Sequence, residues 1–297
     1  MTRKILAALA LGASVATAPA LADPFDFKGS FGASGGFTRY SAAVSNPLFN
    51  ETPYITTEAR AIYLHDELPS GFLTGGGHID AGAIELRAAL TDRLGFIAPK
   101  DGYVHAHFTA GLKDTTGFEN LAFGLKYAVV SDPRDDLIVT LGGTYEPPSG
   151  NLKTSGIQLQ GHGGGFFNVF AAGAKRWGPL GIEGNVGLNQ AADTNHDSSL
   201  VHYAAHVDYE LYPGLFPMVE LNGFSVVENG TRLPVNFDGV DLVNFGSLHA
   251  GTVMSAAFGG RYAFNEHLLF GVGYERPITN RQDILGERVY VDLIVRY

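Results

Sequence analysis

The 297-residue chain contains no cysteine. That excludes disulfides, a thiolate nucleophile, a lipidated N-terminal cysteine and any cysteine-based metal site. It also lacks an apolar run of eighteen or more residues, so no segment reads as a spanning helix. Basic residues are in the minority, with 20 Lys and Arg against 30 Asp and Glu. A nucleic-acid partner calls for a basic patch, and this balance argues against one. What the chain has in quantity is glycine, at 39 residues, and aromatics, at 11%. Both suit tightly curved sheets with aromatic girdles.

Residues 1–22 read as a secretory leader: basic Arg3 and Lys4, a short apolar stretch from Ile5 to Val15, then Ala20-Leu21-Ala22. Removing those two charges takes the formal net charge from −10 to −12. Residues 23–52 are rich in Phe, Gly and Ser without sustained alternation. They read as an irregular segment, periplasmic or entering a barrel mouth.

Residues 53–297 alternate persistently. The last ten set Val289, Val291, Leu293, Val295 and Tyr297 against Arg288, Tyr290, Asp292, Ile294 and Arg296. Period-two alternation makes a strand with one apolar and one largely charged face. Comparable segments run from Asp80 to Leu90, Asn120 to Ala128, Leu137 to Glu146, Leu180 to Leu188 and Tyr203 to Leu211. Others surround Val219, Phe258 and Val272, and weaker ones lie at 58–64, 94–99 and 167–175. The total is about twelve strands, most able to reach the nine to eleven residues or so that a tilted strand needs to cross a bilayer. Alternate links are short: 91–93, 131–136, 177–179, 212–214 and 265–267. Those between them are long: 66–77, 100–117, 146–162, 191–199, 227–248 and 278–287. Short turns on one side and long loops on the other are how outer-membrane barrels are built, with the short side periplasmic. The sequence therefore predicts an all-β fold, a closed antiparallel transmembrane barrel of about twelve strands in the cell outer membrane. Its partners would be outer-membrane lipid, a small solute, and the assembly machinery through the closing strand. Tyr127, Trp177, Tyr209, Tyr212 and Tyr262 fall at the short-turn ends, as an inner aromatic girdle would. Pro99 removes a ladder donor and predicts a bent or shortened third strand.

Several strings in order carry a family resemblance: Asn46-Pro-Leu-Phe49, Glu58-Ala-Arg60, Ala89-Leu-Thr-Asp-Arg-Leu94 running into Ile97-Ala-Pro-Lys-Asp-Gly-Tyr103, Gly124-Leu-Lys-Tyr-Ala128, Thr144-Tyr-Glu-Pro-Pro-Ser-Gly150, Pro217-Met-Val-Glu-Leu-Asn222 and Val291-Asp-Leu-Ile-Val-Arg-Tyr297. From about residue 45 to 297 the chain resembles the MetA-pathway of phenol degradation family of outer-membrane barrels. The resemblance implies uptake of hydrophobic or aromatic compounds, and it supplies no catalytic residues.

On the faces assigned inward, the expected pore lining is Glu58, Arg60, Glu85, Arg87, Lys126, Glu183, Asp208, Glu220, Arg261, Glu275, Asp292 and Arg296. Glu146, Arg176, His206, Glu210 and Arg288 share those faces. Two readings stay open: a charge-lined channel for small solutes, or a structural barrel whose opposed charges plug the lumen.

No cofactor, metal or enzyme motif emerges. His105 and His107, with Asp101 nearby, could offer imidazoles to a metal but lack a fixed third ligand and read as exposed loop histidines. Gly161-His-Gly-Gly-Gly165 matches no phosphate-cradling spacing and reads as a loop. Asp193-Thr-Asn-His-Asp197 lacks the glycine and glutamate of a calcium loop and reads as a polar turn. A lipid-modifying enzyme would need a serine and histidine together at the lipid boundary, for which Ser198, Ser199 and His202 are the nearest candidates.

Overall fold

A computed structural model describes residues 36, 37, 40–265 and 267–297; the leader assigned to residues 1–22 lies outside the described residues. Alternation becomes twelve antiparallel barrel strands. They are β1 (Glu58–Leu68), β2 (Gly77–Ala89), β3 (Leu94–Lys100 and Tyr103–Phe108), β4 (Thr115–Phe118 and Ala122–Asp132), β5 (Leu137–Glu146) and β6 (Phe166–Trp177). The second half comprises β7 (Leu180–Ala191), β8 (Ser199–Tyr209), β9 (Leu215–Glu228), β10 (Thr252–Ala263), β11 (Leu268–Pro277) and β12 (Glu287–Arg296). Each strand pairs with the next, and β12 returns to β1 with Glu58 opposite Arg296 and Glu67 opposite Glu287. Closure leaves no unpaired edge, which a sheet needs if it is to sit in lipid.

The closing strand shows how the faces divide. Val289, Leu293 and Val295 are exposed, whereas Arg288, Tyr290, Asp292 and Ile294 are almost fully buried. Around the wall the outward residues include Ile84, Leu125, Leu141, Val186, Leu221 and Val272. In water an exposed apolar surface of this extent would be unfavourable; in a bilayer it is the required one. Trp177, Tyr209, Tyr212, Tyr262 and Tyr297 are exposed toward the short-turn end. Tyr127, expected in that girdle, is only partly exposed.

The third and fourth strands are each broken, and here the expected 100–117 loop is corrected. Tyr103–Phe108 and Thr115–Phe118 are strand, leaving 109–114 as loop and 101–102 as the break within β3. Val104, Ala106 and Phe108 point inward and the intervening Tyr103, His105 and His107 outward, so this stretch alternates as a wall strand must. The break follows Pro99, which cannot donate to the ladder, and pairing of β3 with β4 shifts register between Ile97 and Lys100. Asp101 Oδ1 accepts the Ile84 amide at 2.7 Å in place of a strand carbonyl. Across the break in β4, Asn151 and Ser149 side chains accept the Phe118 and Leu121 amides. Buried or lipid-facing amides need such substitutes.

Residues 40–57 occupy the lumen. They rise from the short-turn end, reverse at Asn46–Asn50 and descend to enter β1. The reversal is closed by the Asn50 amide donating to the Asn46 carbonyl at 2.8 Å. Asn46 sits at φ 49°, a left-handed conformation that asparagine tolerates. At the opposite end, residues 229–251 fold over the long-loop mouth. Val240, Leu242 and Phe245 pack there with Leu68, Phe72, Ile79, Val104 and Phe108 from the wall and adjoining loop.

Candidate functional site

The twelve residues expected to line the pore are all buried, and most are brought together in two linked networks around the hairpin. In the first, Asp292 accepts from two arginines: Arg60 Nη2 at 2.6 Å and Arg261 Nη1 at 2.6 Å. Both arginines also donate to the hairpin backbone, Arg60 to Val44 O and Arg261 to Ala42 O and Ala43 O. Glu85 lies 3.5 Å from Arg60 and 3.2 Å from Arg87. Arg87 makes a two-pronged bond to Glu51, at 2.9 and 2.7 Å, and reaches Glu58 at 3.2 Å. Lys126 closes on Glu51 at 2.7 Å and on the Thr52 carbonyl at 2.7 Å. Arg296 pairs with Glu58 at 2.9 Å while its guanidinium lies over the Tyr40 ring at 4.3 Å.

Glu220 organises the second network. It accepts the Val44 and Ser45 amides at 2.8 and 2.7 Å, the Ser45 hydroxyl, and His206 Nδ1 at 2.8 Å. His206 also approaches Asp208, which pairs with Arg176. Glu183 is buried on the strand beside them, opposite His206. Glu275 receives Asn222 Nδ2 at 2.7 Å, the Ser255 hydroxyl and the Tyr290 hydroxyl at 2.6 Å. Asn222 donates also to Ser45 Oγ at 2.8 Å. Arg288, nearer the long-loop end, pairs with Asp66 and with Asp241 of the folded-in loop. Glu210 alone of the assigned inward charges is only partly buried, because it falls in the turn 210–214 rather than on a strand.

Glu51, the one charged residue between 40 and 57, was not among the expected lining, yet it is the counter-ion of both Arg87 and Lys126. Its only sequence signal is its isolation: a lone acid in an uncharged stretch must find a cation if buried. Buried pairs of this kind add little net stability, but removing one partner leaves a costly uncompensated charge. The networks therefore fix where the hairpin sits.

Above them the lumen changes character. Inward positions toward the long-loop end include Leu64, Leu68, Ile79, Ala81, Val104, Phe108, Phe224 and Val253, while Asp66, Glu146, Asn168, Asn189 and His202 are buried there too. Leu68, Ile79, Val104 and Phe108 line a cavity closed by Leu242, Val243 and Phe245 of the loop, with Glu119 the single ionisable group on its wall. Phe72, Phe237 and Phe245 make edge-on and tilted ring contacts beneath the mouth. Asp238 and Asp283 tie the loop down: the Asp238 amide donates to Asp283 Oδ2 at 3.0 Å, while Asp238 Oδ1 accepts the Phe245 amide. Burial raises the Asp283 carboxyl to about 6 and raises that of Asp238 as well.

The remaining sequence candidates do not assemble. Ser199 bonds to Gln190 and Glu228, whereas His202 is buried in the lumen, bonded to Asn168 and stacked on Phe49. The serine–histidine pairing of a lipid-modifying enzyme is not made. Residues 161–165 form loop, and Asp193 closes a polar turn by accepting the Asn195 amide. Among the described residues, no group of three or more His, Cys, Asp or Glu side chains is placed to hold a metal ion.

No protein-family model matches the chain, and no curated protein matches it. Solved structures do. An outer-membrane channel from Pseudomonas putida F1 aligns with a TM-score of 0.60 at 14% identity, over 82% of this chain and 95% of that one. The NanC porin aligns at 0.50 and 11% identity, over 81% and 99%. The translocator domain of the autotransporter NalP from Neisseria meningitidis aligns at 0.50 and 11%, over 82% and 88%. At these identities the likeness is one of fold: this chain has the architecture of outer-membrane β-barrels.

Proposed function

We propose that this barrel is an outer-membrane channel for small hydrophobic or aromatic solutes, with the long loops outward and the short turns in the periplasm. The observation that carries the solute class is the apolar cavity in the long-loop half, bounded by Leu68, Phe72, Ile79, Val104, Phe108 and Phe245. Barrel interiors in the outer membrane are ordinarily polar, and a pocket of aliphatic and aromatic side chains selects apolar ligands by burial. A solute would partition into the mouth as residues 229–251 lift, then pass inward when the hairpin shifts within its ring of charges. The resemblance to the phenol-degradation barrels points to the same solute class.

A second reading, a permanently closed structural barrel, is favoured by the pairing of the lumen charges with one another and with residues 40–57. Uptake measurements separate the two. Cells depleted of other porins and supplied with this barrel should accumulate a small aromatic solute several-fold faster than cells without it. Leu242→Asp with Phe245→Asp should remove most of that gain, and uptake of a sugar of similar size should change little. Equal aromatic uptake with and without the barrel would rule out the channel reading.

A further inference from the structure

Four of the ten histidines of the chain lie together on the outside of the wall, on three neighbouring strands. Register puts His65 opposite Asp80 and Asp80 opposite His105; one step nearer the loops, Glu67 is opposite His78 and His78 opposite His107. The result is a two-by-three grid of imidazoles and carboxylates, all facing outward and partly or fully exposed. Directly beneath it Tyr63, Gly82, Tyr103 and Phe118 form the adjoining outward row. An aromatic row marks the edge of the hydrocarbon, so the grid stands at the polar side of that edge.

From the grid and the groups around it, we propose that β2 and β3 bind one divalent transition-metal ion of the zinc or copper class, through His78 and His107 with Asp80 as a carboxylate ligand. Directly opposed strand residues hold their Cβ atoms about 5 Å apart, and the two rings lie 5.1 Å centroid to centroid. Nδ1–H of His107 donates to Asp114 Oδ2 at 2.8 Å, which leaves Nε2 as the metal-facing nitrogen, the arrangement carboxylates impose on ligating histidines. Asp80 Oδ2 is 3.7 Å from His78 Nε2. The pairing beneath the site is tight: a Cβ on Gly77, next to His78, would fall 2.2 Å from the His107 carbonyl oxygen. The backbone is thus fixed and His107 is held through Asp114, so a turn of the partly exposed His78 side chain brings both rings onto an ion at the ~2.0–2.1 Å of a zinc–imidazole bond.

Calorimetric titration of untagged, folded barrel in detergent with Zn2+ alone tests this. One ion per barrel should bind at pH 7.5, and affinity should fall at least tenfold at pH 5.5 as the imidazoles take up protons. His78→Gln and His107→Gln should each weaken binding tenfold or more, while His249→Gln, in the loop between β9 and β10, should not. Retained heat-modifiable migration on gels certifies that each variant is a folded barrel. Absence of binding by the wild type, or undiminished binding by the folded double variant, would overturn the proposal.

Discussion

The two halves of the lumen solve the same packing problem with opposite chemistry. Toward the short turns, a polypeptide hairpin is held by arginines, a lysine and carboxylates, each satisfied by a neighbour within hydrogen-bond range. Toward the long loops, a folded-in loop is held by aliphatic and aromatic contact together with separate polar ties such as Arg288–Asp241. Ion-paired contacts are directional and intolerant of a missing partner. Apolar contacts are non-directional and exchangeable for any ligand of similar size. The charged half is thus built to position one occupant, and the apolar half to accept alternatives.

The comparison can be broken first where it predicts most. Asp292→Ala leaves Arg60 and Arg261 buried around no carboxylate and should cost about 3–5 kcal/mol, read as a lower denaturant midpoint of the folded barrel. An isosteric Asp292→Asn variant should recover only part of that loss. Next comes the outer wall, which tests the facing itself. Leu293→Arg puts a charge in lipid, at about 2–4 kcal/mol near the midplane and less toward the interfaces, and should reduce membrane insertion. Wild-type insertion of that variant would contradict the facing. In the apolar half, Leu242→Ala should cost about 2 kcal/mol, confined to loop docking. Faster proteolysis within 229–251, with the barrel midpoint unchanged, is the expected signature.

The smallest effect is a pH dependence of the mouth. Because burial under the docked 229–251 loop raises the Asp283 carboxyl of the β11–β12 link to about 6, above its ordinary value, the closed mouth binds the proton more tightly than the open one. Its contribution to docking is full below the ordinary carboxylate range and is lost as pH rises through about 6. Asp238, raised in the same direction, adds to it, and the Asp238 amide and Arg281 beside Asp283 oppose it. Proteolysis of the loop should therefore be slower at pH 5 than at pH 8, and Asp283→Asn should flatten the difference.

How far the sequence could be read follows the same division. Alternation in Arg288–Tyr297 was enough to assign its lipid and lumen faces and its seam with β1, because one face of a barrel strand must be apolar throughout. The hairpin was not legible beyond its lack of alternation. Its partners, Arg87, Lys126, Glu220 and Arg261, lie far along the chain, and no local period announces them. The histidine grid was half visible as His105 and His107. Completing it requires the register that brings His78 alongside, and Pro99 hid that strand by interrupting the pattern. The apolar inner half was obscured for a related reason. Small residues such as Ala81 and Ala106 look the same on either face until the fold shows which side they line.

The direct test is whether the hairpin must move for anything to pass. Ser45 Oγ and Asn222 Nδ2 are 2.8 Å apart, and the natural chain has no cysteine. A Ser45→Cys/Asn222→Cys barrel therefore carries one reducible tether between hairpin and wall. In planar bilayers the oxidised barrel should remain silent, and reduction should bring back the openings of the wild type. Openings of equal size and frequency in both states, or a folded wild type that never conducts, would contradict the account.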